Sequence, residues 1–174
     1  LYKLADEIGV NANDAAVEDK TVDKIDFRVT NKRVGVQNNG KGIPIVWMEE
    51  HNCWSIELCF GDLLTSTHYD DKRVRVVGGR NGYGSKITNI YSRKFEAEVG
   101  DSRNKRKIKI KWRNNMTQKE VSDVEDYDGE GFVRITFEPD MTRFPNITEI
   151  STDMINVFRK RACEIAMCRK KVTV

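Results

Sequence analysis

Apolar residues recur at helical spacing from the first position of the chain. Leu1, Leu4, Ile8 and Ala12 fall near one face, which predicts a helix over the first eighteen residues with Gly9 as its weak spot. Residues 19–21 break that pattern. "KIDFRVT" (24–30) and "RVGVQ" (33–37) then alternate apolar and polar side chains and read as two strands of a hairpin turned at Asn31-Lys32. "NNGKGIP" (38–44) is a turn of asparagines and glycines, and "SIELCFGDLL" (55–64) is a short helix. "TSTHYDDKRVRVV" (65–77) is polar and reads as a mobile loop or lid. "YGSKITNIYS" (83–92) returns to helix. From Lys94 the period changes to two, and "KFEAEVG", "RKIKIKW", "EVSDVED" and "GFVRITFEPD" predict four strands joined by turns. A long amphipathic helix follows over 147–168, with Ile150, Met154, Val157, Ala162 and Ile165 broadly on one side. Strands segregate from helices, and hairpins replace repeated βαβ units. The prediction is an α+β sandwich, one sheet with helices on one face.

Composition narrows the classes without choosing among them. A chain of 174 residues is long enough for one domain with a real core. Hydrophobic content of 39% beside 33% charged excludes a disordered chain. No apolar run approaches the ~20 residues of a membrane span. The net charge, 30 minus 27, is only +3 and does not by itself indicate nucleic acid. The basic residues cluster in "SRNKRKIKIKWR" (102–113), whose alternation reads as a half-exposed strand with a solvated basic face before it reads as a DNA track. The four cysteines form no C-x-x-C and the two histidines lack metal spacing, so a zinc site is not expected and free or buried thiols are. The chain opens at Leu1 without Met, shows no signal or transit pattern, and closes on "KKVTV", which reads as a strand entering more protein. The expectation is a single domain over residues 1–174 cut from a larger chain.

Four short stretches carry candidate chemistry. "GGRNGYGSK" (78–86) packs four glycines with Arg80, Asn81 and Lys86, a composition suited to a multi-phosphate anion held by close backbone amides. It is not a Walker A loop, because Gly79 and Gly84 are followed by Ser85 and then Lys86, the reverse of that order. It is not a dinucleotide fingerprint either, because Gly82-Tyr83-Gly84 is not completed by a third glycine. The helix expected after it would present amides and a dipole to the same anion. On the first helix, Glu7, Asn11 and Asp14 share a face, where a Glu could orient a water and an Asn amide oxygen could hold a cation. In "NNGKGIP", Asn38 could hydrogen-bond a flat ring such as adenine, Gly42 permits close approach, and Ile43 could cover the ring face. In "ITFEPD" (135–140), Thr136 faces opposite to Ile135 and Phe137.

Taken together and in this order, the chain resembles the N-terminal ATPase domain of eukaryotic-type type II DNA topoisomerases, a branch of the GHKL ATPases. The matching stretches are "DEIGVNANDA" (6–15), "NNGKGIP", "LLTSTHYDD" (63–71), "GGRNGYGSK" and "ITFEPD". The resemblance implies a Bergerat sandwich, a mixed, mostly antiparallel sheet backed by helices, binding ATP and Mg2+. It implies Glu7 as general base and Asn11 as magnesium ligand. It places Asn38 at the adenine, with Gly42 and Ile43 beside it, and Ser66, Thr67 and His68 at the ribose. Gly79, Arg80, Asn81, Gly82, Tyr83, Gly84, Ser85 and Lys86 become the triphosphate loop, and Thr136 lies near the adenine pocket.

For the parent protein the resemblance implies double-strand DNA passage by a homodimer whose gate ATP closes. That protein would work in the nucleus, or alternatively in a mitochondrion or other DNA-containing organelle. The isolated piece, lacking the transducer, the N-terminal arm and the DNA-cleavage domains, is expected to be monomeric and weakly active or inactive. The chain also departs from the family's pattern. Ala15 stands where an Asn is expected, His68 replaces an Asn, Thr67 a Ser, and Gly9 a bulkier apolar residue. The alternative reading is a GHKL nucleotide-binding regulatory module without efficient turnover, and the retained Glu7 argues against it. A chaperone, a mismatch-repair ATPase, a histidine kinase and a purely structural or DNA-binding module have less support in these motifs.

Overall fold

The period-two stretches pair into one sheet. In a computed structural model, which describes residues 1–62 and 83–174, the strands are β1 (Ile25–Val29), β2 (Val34–Asn39), β5 (Ser92–Asp101), β6 (Arg106–Arg113), β7 (Gln118–Val121), β8 (Glu125–Asp126) and β9 (Phe132–Pro139). Their order is β1-β2-β9-β5-β6-β7, with β8 also on β6, and every pairing between these strands is antiparallel. Thr173, near the end of the chain, makes a parallel bridge to Lys24 beside β1. The expected strand "EVSDVED" is in fact two short strands, β7 and β8, that both pair with β6. A two-stranded ribbon, β3 (Trp47–Met48) with β4 (Cys53–Trp54), was not foreseen. It is held by an edge-to-face Trp47–Trp54 pair 5.3 Å apart.

Helices α1 (Tyr2–Glu18), α2 (Ser55–Gly61), α3 (Gly84–Ile90) and α4 (Thr152–Cys168) complete the fold. Alternation sends Val34, Val36, Phe95, Ala97, Val99, Ile108, Ile110, Trp112, Ile135 and Phe137 into one core with Leu4, Ile8, Ala12 and Phe158 of the helices. The sheet's other face is polar. There Lys107, Lys109 and Lys111 of the basic stretch each meet a carboxylate, Glu125, Glu96 and Glu120 respectively, at 3.0–3.2 Å. The basic face is therefore locally neutralised.

The Ser151 hydroxyl accepts the Met154 amide at 3.2 Å and caps the start of α4, so the helix begins inside the predicted 147–168. Ile150 is buried but precedes the helix, and Val157 is 43% exposed. The face that packs runs through Met154, Phe158 and Ile165, so Met154 and Ile165 lie as expected and Val157 does not. This face meets α1 in a parallel seam. Tyr2 stacks on Phe158 with ring centroids 6.2 Å apart, Asp6 accepts from Arg161 at 2.8 Å, and Asn13 accepts from Arg169 at 2.7 Å. Between them lies Gly9, where a Cβ would stand 3.1 Å from the Phe27 ring and 3.6 Å from Ile165. The weak spot of α1 is thus where a strand residue and α4 crowd closest to its backbone.

Candidate functional site

α1 places Glu7 and Asn11 one turn apart. Asn11 is exposed, whereas Glu7 is half-buried. One carboxylate oxygen of Glu7 takes an ion pair from Lys3 at 2.8 Å. Its other oxygen lies against Gly84, so closely that any side chain at position 84 would strike it. The glycine is what lets α3 start against the acid.

α3 is then fixed to both neighbouring helices. Thr88 donates to the Leu4 carbonyl of α1 at 3.1 Å, and Asn89 Nδ2 donates to the Phe60 carbonyl of α2 at 3.0 Å. Asn89 Oδ1 is buried with no hydrogen-bond partner among the described residues. Ser85 is buried, with its hydroxyl 3.5 Å from the Cys59 carbonyl, and Lys86 is fully buried. Burial pushes the Lys86 amine below the ordinary lysine range, against the opposing pull of Cys59 and Asp62.

The turn after β2 is built with comparable care. Asn38 is buried on the helix side of the sheet and its Nδ2 donates to the Asn39 carbonyl at 2.8 Å. The Asn39 amide oxygen accepts from the Asp23 and Lys24 amides at 3.1 and 3.0 Å. Asp19, the residue after α1, accepts from Thr21 and from the Lys41 amide at 2.8 Å. Gly42 has φ +74°, and a Cβ there would run into the Gly100 carbonyl. Arg103 donates to the Gly42 carbonyl at 2.8 Å, and Ile43 packs on the core.

Asp101, fully buried at the end of β5, accepts the Ile45 amide at 2.9 Å and the Asn104 side chain at 2.6 Å. Burial opposes its ionisation. The bonds from Ile45, Asn104 and Arg103 outweigh that and hold its carboxyl below the usual range. Neither aspartate was singled out from the sequence. The Asp19-x-Thr21 pattern of an Asx turn was a legible signal for the first; nothing local marks Asp101.

Thr136 needs correcting. It pairs with Gly35, while its neighbours Ile135 and Phe137 point into the core, so strand alternation carries Thr136 to the polar face beside Arg28 and Arg134. Asn38 lies on the opposite face. The β9 residue in register with Asn38 is Val133, which packs partly buried on the core and takes the place expected of Thr136. Ser66, Thr67, His68, Gly79, Arg80, Asn81 and Gly82, and the loop or lid expected over 65–77, lie outside the described residues. Tyr83 precedes α3 directly. Among the described residues no helix is long and apolar enough to cross a membrane, and no group of three or more His, Cys, Asp or Glu could hold a metal.

No family model matches the chain. It is 40% identical over 173 residues to the DNA topoisomerase 2 of Plasmodium falciparum, which covers 95% of this chain and 12% of that protein. Its coordinates superpose on the ATPase region of Saccharomyces cerevisiae topoisomerase II with a TM-score of 0.90 at 40% identity, covering 95% of this chain and 44% of that one. The chain belongs to the type II DNA topoisomerase family. The topoisomerase II of Balamuthia mandrillaris agrees. Its ATPase and transducer domains match with a TM-score of 0.94 at 35% identity, over 99% of this chain and 46% of that one. The chain thus spans a small part, 12%, of the full-length topoisomerase 2 relatives and falls in their ATPase region.

Proposed function

We propose that this chain is the ATP-binding and hydrolysing module of an ATP-dependent type II DNA topoisomerase. The observation that carries the reading is the meeting of Glu7 with Gly84 at the start of α3, two residues from the buried cation of Lys86. In phosphoryl transfer a protein chiefly positions the attacking water and neutralises charge. Glu7 is placed to accept that water's proton, and Lys86 to balance phosphate charge. The amide of Asn38 reads the adenine edge, with Ile43 and Val133 as apolar neighbours. Ser66, Thr67 and His68 take the ribose, and Gly79, Arg80, Asn81, Gly82, Tyr83, Gly84 and Ser85 wrap the phosphates.

Asn11, exposed on the face of Glu7, would hold Mg2+ through its amide oxygen. A lone protein ligand fits that ion, which keeps several waters and is otherwise bound by substrate phosphates. When bound, magnesium neutralises charge on the phosphates.

The fuller activity belongs to the same proposal and rests on kinship with the DNA topoisomerase 2 proteins. It comprises passage of one DNA duplex through another, a homodimeric gate closed by ATP, and a nuclear site of action. The chain would act there as one domain of a longer enzyme.

The test is calorimetry with a non-hydrolysable ATP analogue, with and without magnesium, on this chain and on Asn11→Ala. Magnesium-dependent binding that the substitution weakens supports the assignment. Loss of both ATP-analogue and ADP binding by the folded chain refutes it.

A further inference from the structure

The Glu7 carboxylate ends a chain of ion pairs that runs back to the last helix. Lys3 touches Glu7 at 2.8 Å and Asp6 at 3.1 Å. Asp6 in turn accepts from Arg161 of α4 at 2.8 Å, and Arg161 reaches Glu164 at 3.2 Å. Asp6 is the most buried member of this path. The Lys3 side chain is 70% exposed, but that of Asp6 is only 12%. A lysine so exposed, with a flexible stem and one carboxylate, samples many rotamers. Two carboxylates one residue apart confine it, provided the nearer one is itself fixed. Arg161 fixes it: its planar fork is locked between Asp6 and Glu164, within the seam that Tyr2–Phe158 and Asn13–Arg169 hold on either side.

We propose that Arg161 and Asp6 are positioning residues for Glu7, acting through Lys3, so that the seat of α4 on α1 sets the orientation of the carboxylate. The inference rests on Glu7 being the general base. Two features set the place of Glu7: the ion pair from Lys3 on one oxygen, and the lack of a side chain at Gly84 beside the other. The first is delivered from 155 residues away in sequence. A tilt or slide of α4 would move Asp6 and slacken the grip of Lys3. An exposed ion pair contributes little to folding. Misplacing a reacting group by about 1 Å, by contrast, costs up to about a hundredfold in rate. The signature of the relay is therefore kinetic.

The experiment is steady-state ATP hydrolysis by the complete enzyme proposed above, carrying Lys3→Met, Lys3→Arg, Arg161→Gln, the Lys3→Met/Arg161→Gln double variant, and Glu7→Gln as reference. Lys3→Met should lower kcat about tenfold with KM for ATP and the unfolding midpoint little changed, the pattern of an interaction needed after binding. Lys3→Arg should retain most of the rate. Arg161→Gln should lower kcat in the same direction, and the double variant should be no slower than Lys3→Met alone. Unchanged kcat in Lys3→Met, beside a Glu7→Gln enzyme that is dead, overturns the relay and leaves the base assignment standing. Full turnover by Glu7→Gln overturns the base assignment first. If Arg161→Gln unfolds, Asp6→Asn takes its place, and an unchanged kcat in that variant overturns the relay.

Discussion

Replacing Gly42 by Ala should cost far more than replacing Gly35, although both belong to the same strand-and-turn unit. At Gly42 the backbone stands at φ +74°, where an L-residue pays about 1–2 kcal/mol. The new methyl would also meet the Gly100 carbonyl, a backbone atom of β5 that cannot swing aside, and such overpacking costs about 1–3 kcal/mol more. The sum is about 2–5 kcal/mol, a substantial share of the roughly 5–15 kcal/mol that stabilises a typical domain. At Gly35 the added methyl meets the Thr136 hydroxyl at 3.5 Å, an ordinary contact, and a strand conformation any residue adopts, so the change should stay within about 1 kcal/mol. Urea unfolding followed by tryptophan fluorescence reads both. With a slope of about 2 kcal/mol/M, Gly42→Ala should lower the midpoint by about 1–2.5 M and Gly35→Ala by less than about 0.5 M. ATP-analogue affinity should fall only in the first. A Gly42→Ala protein with the parental midpoint and affinity would show that the turn yields freely. The bonds from Asp19, Asp101 and Arg103 would then not be holding it rigid.

Further tests address the helices and the buried charges. Phe158→Ala should destabilise by about 3–5 kcal/mol and Val157→Ala by no more than about 0.5, which thermal unfolding distinguishes; the reverse order would refute the α4 face described above. The Asp101 carboxyl is held low in the folded chain, so the unfolded chain binds more protons as pH drops. Its contribution is complete above the unfolded carboxylate value and lost as pH falls through the folded one, and Asp101→Asn should flatten that acid limb of stability against pH. Lys86 has the opposite history. Its folded value lies below the unfolded one, so at alkaline pH stability rises toward the unfolded lysine value, and an anion bound beside it should restore its proton. ATP-analogue binding measured at alkaline pH in two buffers of different ionisation heat should show proton uptake that Lys86→Met abolishes; equal uptake by the variant would refute the contact.

What the sequence revealed tracks the range of the forces involved. α1, the β1–β2 hairpin, β5, β6 and β9 follow local periodicity and turn residues, and the structure keeps them within a residue or two. β3 and β4, two residues each, are too short for a period to register and exist because two tryptophans meet. α4 starts later than its first apolar residues suggest because the Ser151 cap fixes its first turn. Alternation alone puts Thr136 on the face opposite Ile135 and Phe137, away from Asn38. Val133 could have been found by pairing β9 against β2 and asking what stands opposite Asn38. Asp101 and the Lys3–Asp6–Arg161 path are long-range, and no window of residues contains both ends of either.

The position of β9 also governs how the chain can be made. It leaves a ribosome after the other strands of this sheet, yet it lies between β2 and β5 and pairs with both. Until residue 139 has emerged, the N-terminal hairpin and the β5–β6 pair each expose a bare inner edge to whatever strand arrives first. The sheet therefore cannot close progressively from the N-terminus. It must wait for a late insertion at its centre, so folding should be slow and dominated by long loop closures. Truncation before residue 132 should yield two sticky halves in place of a smaller stable protein.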